Sequence, residues 1–336
     1  MTGKEQVEQA LSEVLIPGVG RSVVQQNMIR GIEVTNNVVK VTLASTALGL
    51  NSQDWIRTKT KAVVEKLPEV NKVEIEFIET KATELNQISR IFAVMSGKGG
   101  VGKSLIASLI AVALKRQGNE VGVLDADITG PSIPKMFGIT TRPEGSSTGI
   151  LPAMSRSGIE LMSINLLLPQ EDDAVIWRGP LIGKAITQFW EEVVWGKLDY
   201  LLVDLPPGTA DASLTVMQSV PLDGIIIVFT PQDLTTMIVR KAVNMVRKMD
   251  KPIMGVVENM SYLYIPEIDK RIELFGRSKG QEMSQVARAP LLGQLPIDPE
   301  LARLCDEGNI ERYNSDAFAT FSQAFIQALP KAKIEQ

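Results

Sequence analysis

An apolar run, Ile91–Met95, leads through Ser96 into Gly97-Lys98-Gly99-Gly100-Val101-Gly102-Lys103-Ser104, and a helix-period pattern continues from Lys103 to Arg116. A strand, a glycine-rich turn of this spacing and a helix together restrict the chain to an α/β architecture. The glycines let backbone N–H groups turn inward around phosphate oxygens, and the helix N-terminus adds its partial positive charge. The pattern predicts an ATP site made by Gly97 to Ser104, with Lys103 neutralising the β- and γ-phosphates and the Ser104 hydroxyl on a magnesium ion.

Carboxylates should complete such a site from the ends of neighbouring strands. Val121–Leu124 ends in Asp125-Ala126-Asp127, and Tyr200–Val203 ends in Asp204-Leu205-Pro206-Pro207-Gly208. Asp204 is placed to hold the magnesium shell, and Asp125 or Asp127 to orient or activate the attacking water. The 336 residues include no histidine and one cysteine, Cys305. A carboxylate is therefore the water-positioning group, and phosphoryl transfer asks for position and charge more than for a strong base. The same counts exclude an intrachain disulfide and a thiolate cage within one chain. Cys305 falls in an apparent helix, Leu301–Asp306, where it reads as a small packing residue.

Strand candidates Ile91–Met95, Val121–Leu124, Tyr200–Val203, Ile225–Phe229, Ile253–Val257 and Leu291–Leu295 alternate with helices Lys103–Arg116, Leu181–Val194, Leu234–Lys248 and Lys279–Arg288. Apolar strands separated by helices predict a mainly parallel sheet covered on both faces. An insertion over Pro131–Met162 is expected to contain a strand pair around Ile150 and Ile159–Ser163. Ahead of this α/β domain, residues 1–80 read as a small α+β domain. It has a helix over Glu5–Leu15, strands Met28–Val34 and Val38–Leu43 turning at Asn36-Asn37, a helix Trp55–Leu67 and a strand Val73–Ile78. Residues 81–90 read as a polar linker and 91–336 as the ATPase domain.

The net charge of −4 argues against non-specific nucleic-acid binding. No apolar run approaches the ~18 residues of a membrane span, and the N-terminus has no apolar signal core, so a cytoplasmic protein is expected. Asp316–Leu329 is aromatic and nearly uncharged, with only Lys331 and Lys333 after it. That pattern suits a helix packed on a core and not a basic membrane-surface helix.

With these motifs in hand, the chain resembles two nested groups. Lys98 within Gly97-Lys98-Gly99-Gly100 resembles the deviant Walker A class that includes MinD, ParA and nitrogenase iron-protein relatives. The resemblance implies a homodimer in which this lysine reaches the partner's nucleotide. Leu124–Asp127 followed by Gly130-Pro131-Ser132, Trp177-Arg178-Gly179-Pro180, Asp204–Thr209 and Glu258-Asn259-Met260-Ser261 are similar to the Mrp/ApbC-type ATPases, which carry or scaffold iron–sulfur clusters. The N-terminal unit resembles the iron–sulfur-assembly-associated domain found in many members. Membership implies a magnesium-dependent ATPase acting with iron–sulfur assembly or client proteins, Asp125 as the water-orienting acid, and Asn259, Pro296 and Asp298 near the adenine. It also implies a bridging 4Fe–4S cluster on a Cys-Pro-x-Cys pair. The corresponding stretch is Tyr264-Ile265-Pro266-Glu267-Ile268, with isoleucine at both cysteine positions, so no cluster ligand is expected at Ile265 or Ile268. Two alternatives stand beside this reading: a MinD/ParA-like positioning switch, and a cluster-free regulatory pseudo-carrier.

Overall fold

The computed structural model describes residues 3–127, 130, 132–167, 179–208, 211–232 and 235–330. The chain divides into two compact units. In the N-terminal part, α1 (Lys4–Leu11), β1 (Ile29–Thr35), β2 (Val38–Ala44), α2 (Leu50–Val64), β3 (Lys72–Ile78) and α3 (Ala82–Leu85) follow in order. Then β4 (Gln87–Ser96) leads to α4 (Lys103–Arg116), β5 (Val121–Asp125) and the short α5 (Ile133–Met136). Four short strands come next: β6 (Gly145–Ser146), β7 (Gly149–Ile150), β8 (Ala153–Met154) and β9 (Glu160–Ser163). They are followed by α6 (Gly179–Glu192), β10 (Lys197–Asp204), α7 (Asp211–Ser219), β11 (Gly224–Phe229), α8 (Thr235–Lys248) and β12 (Ile253–Glu258). The chain closes with β13 (Leu263–Ile265), β14 (Lys270–Ile272), α9 (Gly280–Ala287), β15 (Leu291–Gln294), α10 (Pro299–Asp306) and α11 (Asp316–Ala328).

The first unit holds residues 1–89, 141–154 and 188–199. In its sheet β1 pairs antiparallel with β2, and β2 pairs parallel with β3. Asn36 and Asn37 both take positive φ at the hairpin turn, +50° and +62°, a conformation Asn tolerates better than most residues. Val39, Val41 and Leu43 alternate inward against Val7 and Leu11 of α1 and Ile56 and Val64 of α2. In place of the polar connector expected over 81–90, Ala82 and Leu85 of α3 are buried in this core, and β4 already begins at Gln87. The i, i+3 spacing of these two residues is too short a pattern to stand out in the sequence. Strand residues occur at both places expected in the insertion, Ile150 in β7 and Glu160–Ser163 in β9. Ile150 pairs antiparallel with Gly145 across a tight hairpin and bridges to Val193.

The second unit, residues 90–140, 155–187 and 200–336, carries most of the eight-stranded sheet, and its own strands run in the order β15-β12-β11-β4-β10-β5-β9. The pairs β15–β12, β12–β11, β11–β4, β10–β5 and β5–β9 are parallel. All residues of β5, β9 and β11 are buried, as strands covered on both faces must be. Glu160–Ser163 of β9 is accordingly an interior strand, paired in parallel with β5. Helix α4 is buried along Ile106–Leu114. Each fully buried Ile or Leu there stabilises the fold by about 1.5–3 kcal/mol. The helix is thus anchored with its N-terminus at the carboxyl end of the central strand β4. No helix among the described residues is long and apolar enough to cross a membrane.

Candidate phosphate-binding site

Between β4 and α4 the chain turns through left-handed backbone at Gly100 (φ +78°) and Gly102 (φ +81°). An L side chain is strained there, which is why glycine occupies both positions. Gly102 is the N-cap of α4 and supplies no side-chain cap, leaving the first N–H groups of the helix for a ligand. Gly97 is required by proximity: a Cβ there would lie 2.8 Å from the Ile238 carbonyl oxygen of α8 and collide with its side chain. Two hydrogen bonds shape the loop from outside, Ser96 Oγ to the Lys98 carbonyl at 2.8 Å and Asn259 Nδ2 to the Val101 carbonyl at 2.9 Å.

The acids arrive on adjacent strands. In the parallel register of β10 and β5, Asp204 stands opposite Asp125, so both carboxylates leave the sheet at its carboxyl edge. Lys103 Nζ lies 2.7 Å from Asp204 Oδ1 and 3.5 Å from Asp127 Oδ2. Ser104 Oγ donates to Asp204 Oδ2 at 2.5 Å. Asp125 Oδ1 accepts from the Asp127 N–H at 3.2 Å, and Oδ2 accepts from Ser163 Oγ at 3.1 Å. Asp125 and Asp204 are fully buried. Burial, with the Asp204 charge next, pushes Asp125 up to about 8. Burial also raises Asp204, against the opposing charge and hydrogen bond of Lys103. The structure therefore gathers Lys103, Ser104, Asp125, Asp127 and Asp204 around one point at the end of β4.

The oxygen set Ser104 Oγ and Asp204 fits magnesium, which takes one or two protein oxygens and completes its shell with water and phosphate. Among the described residues, no group of three or more carboxylate, cysteine or histidine side chains makes a metal cage without such help.

Other sequence candidates lie as follows. Lys98 Nζ is hydrogen-bonded to Gln232 Oε1 of the same chain. The Asp298 carboxylate caps α10 through the Glu300 and Leu301 N–H groups and accepts from the Tyr313 hydroxyl at 2.7 Å. Pro296 lines an open cavity of about 1270 Å³ with Tyr262, Arg271 and Gln294. Ile265 ends β13 and Ile268 sits on the following 3-10 turn, 63% exposed. The Cys305 thiol is half-buried and pushed up to about 11 by burial and then by Asp306, which keeps it a poor thiolate. Pro131, Trp177, Arg178, Thr209, Lys331 and Lys333 fall outside the described residues.

Sequence reasoning gave no role to Ser163 or Gln232, and none to Glu258 beyond its place in the Glu258–Ser261 motif. Ser163 and Glu258 end apolar strands, the same signal that found Asp125 and Asp204.

Residues 87–329 match the family model described as NUBPL iron-transfer P-loop NTPase, and residues 4–77 match that of an iron–sulfur cluster assembly protein. An iron–sulfur cluster carrier protein of Aquifex aeolicus is 36% identical over 332 residues, covering 90% of each chain. One from Synechocystis is 39% identical, covering 89% of this chain and 88% of its own. A nucleotide-binding protein of Archaeoglobus fulgidus, solved in complex with ADP, is 43% identical; the match covers 71% of this chain and 95% of that one, with a TM-score of 0.64. The cell division ATPase MinD of Pyrococcus furiosus, at 20% identity and a TM-score of 0.51, shares the fold. With the phosphate loop, its acids and the order of the sheet all in place, the chain belongs to the iron-transfer P-loop NTPase family.

Proposed function

We propose that this protein is a magnesium-dependent ATPase that works as a homodimer in iron–sulfur cluster transfer, with the cluster as cargo held mainly by partner proteins. The observation that carries the ATPase part is the convergence of Lys103, Ser104 and Asp204 at the N-terminus of α4. In this reading Gly97 to Ser104 wrap the phosphates, Lys103 leaves Asp204 for the β- and γ-phosphates, and Ser104 and Asp204 hold magnesium. Magnesium supplies charge neutralisation across the phosphates. Asp125, fixed by Ser163, orients water, with Asp127 beside it. Lys98 leaves Gln232 to serve the partner's nucleotide. The ADP complex of the Archaeoglobus relative supports the nucleotide, and the two family matches support the iron–sulfur setting.

The residues do not fit a thiolate-held cluster. Four irons normally call for four thiolates, and a symmetric pair of these chains offers two, from Cys305. Isoleucine at 265 and 268 supplies no ligand to iron.

The test is ATP hydrolysis by the purified full chain with and without magnesium, followed by ATP-dependent transfer of a cluster from a loaded donor to an apo-ferredoxin. Magnesium-dependent hydrolysis that speeds transfer supports the reading. Absence of hydrolysis, or transfer indifferent to ATP, overturns it.

A further inference from the structure

Helix α8 carries a charge pattern that neither its own stability nor the phosphate site requires. Val239, Ala242, Val243, Met245 and Val246 are buried, which turns Met237, Arg240, Lys241, Asn244, Arg247 and Lys248 outward on one exposed face. Between Asp233 and Asp250 the sequence has four cations and no acid, in a chain whose net charge is −4.

Two of these cations have a local explanation. Arg247 Nη2 donates to the Val286 and Ala287 carbonyls at 3.0 and 3.4 Å, closing the end of the neighbouring α9. Arg247 and Lys248 both sit in the last turn of α8, where the helix dipole favours positive charge. Neither reason covers Arg240 and Lys241. They lie nearer the start of the helix, and α8 offers no acid one turn away to pair with them. Arg240, Lys241 and Lys248 make no ion pair among the described residues. Helix α9 contributes one acid, Glu282, and is followed at once by Arg288, so it leaves the stripe positive.

From Arg240 to Lys248 the stripe runs about 12 Å along the helix, a length that one acidic helix or strand of a partner matches. The face also selects among anionic partners. Met237, 54% exposed, is the only large apolar side chain described as exposed on it, too little to insert into an acyl layer. Duplex DNA would continue past the stripe, against the acidic balance of the chain. A folded protein brings its carboxylates only to the stripe, and opposite charge steers its approach.

We propose that the exposed face of α8 docks an acidic protein partner, with Arg240, Lys241 and Lys248 meeting its carboxylates. The inference deepens the transfer reading by giving the chemistry of the acceptor, and rests on that reading for the choice of probe.

The test is calorimetric binding of an acidic apo-ferredoxin to the full chain at about 50 and about 200 mM salt, with melting of each variant followed alongside. The unaltered protein is expected to bind, and to bind more weakly at the higher salt. Arg240→Glu with Lys241→Glu is expected to weaken binding about tenfold or more, and Lys248→Glu about threefold. Lys66→Glu with Lys81→Glu makes the same change of charge in the first unit and is expected to leave affinity unchanged. Should the α8 pair fail to fold, Arg240→Ala with Lys241→Ala is read in the same sense. No binding by the unaltered protein, or equal losses in the two pairs, would overturn the inference. So would capture of phosphatidylserine vesicles or duplex DNA that the α8 pair abolishes, which would give the face to a membrane or to nucleic acid. Salt-sensitive docking on α8 without ATP-dependent cluster transfer would instead overturn the transfer reading and leave the docking in place.

Discussion

Lys103 and Asp204, 101 residues apart in sequence, meet with Nζ 2.7 Å from Oδ1 in the interior of the second unit. In the proposed reading the cation for phosphate is thus held by the carboxylate for magnesium, and nucleotide entry would exchange both partners. Lys103→Ala and Asp204→Ala are each expected to lower ATP hydrolysis by about 100- to 1,000-fold, the usual cost of removing one such electrostatic contact. Lys103→Ala is also expected to destabilise the nucleotide-free protein by about 3 kcal/mol, because a buried carboxylate loses its counter-charge. Unchanged turnover in steady-state assays of either variant would remove the site assignment.

Lys98 is bound to Gln232 of its own chain. Because the reading gives Lys98 to the partner's site, Lys98→Ala is expected to bind ATP yet lose most hydrolysis. Mixing it with Asp125→Asn should restore part of the activity, since a mixed dimer can contain one complete site. Loss of nucleotide binding in Lys98→Ala, or no recovery in any mixture, would count against the cross-dimer role.

Asp125 offers a test by pH. Its pKa rises from 3.8 to about 8 on folding, by burial and then by the Asp204 charge. The folded chain keeps a proton that the unfolded chain releases, so this contribution to stability is fully present below about pH 4 and is lost as pH rises to about 8. Without nucleotide or magnesium, wild type is expected to lose about 1–3 kcal/mol relative to Asp125→Asn between about pH 6 and about pH 8. Urea denaturation in chelator at the two pH values measures it, and a constant difference would refute the raised pKa.

Anaerobic treatment with iron and sulfide is expected to leave the protein without bound cluster, since thiolates are too few and carboxylates are harder, poorer ligands for iron–sulfur centres. Ile265→Cys with Ile268→Cys is expected to create visible absorbance if two copies bring these turns together. Iron and sulfide analysis showing about four irons per dimer in the unmodified protein would overturn the reading.

Gly97→Ala is expected to weaken ATP binding more than Gly99→Ala. At Gly97 the added methyl meets the Ile238 backbone, whereas at Gly99 it meets only the Pro207 side chain at 3.9 Å. Equal affinities for the two variants, measured by calorimetry, would show that the loop does not rest on α8.

The sequence alone determined the parts whose information is local. Gly97–Ser104 needs only its own glycines and flanking periodicity to announce a phosphate loop, and helix Lys103–Arg116 was read to the residue. Strand ends marked Asp125 and Asp204 because a run of apolar residues stops at each. Tertiary structure decided what depends on partners far along the chain. That Glu160–Ser163 lies beside β5, bringing Ser163 onto Asp125, follows from burial on both faces, and an apolar run cannot declare its neighbour. That Gly97 rests on Ile238, Lys98 on Gln232 and Asn259 on Val101 are contacts across more than a hundred residues. Ala82 and Leu85 look like connector residues until the core that buries them is present. Periodicity reports which face of an element is apolar; only packing chooses what that face meets.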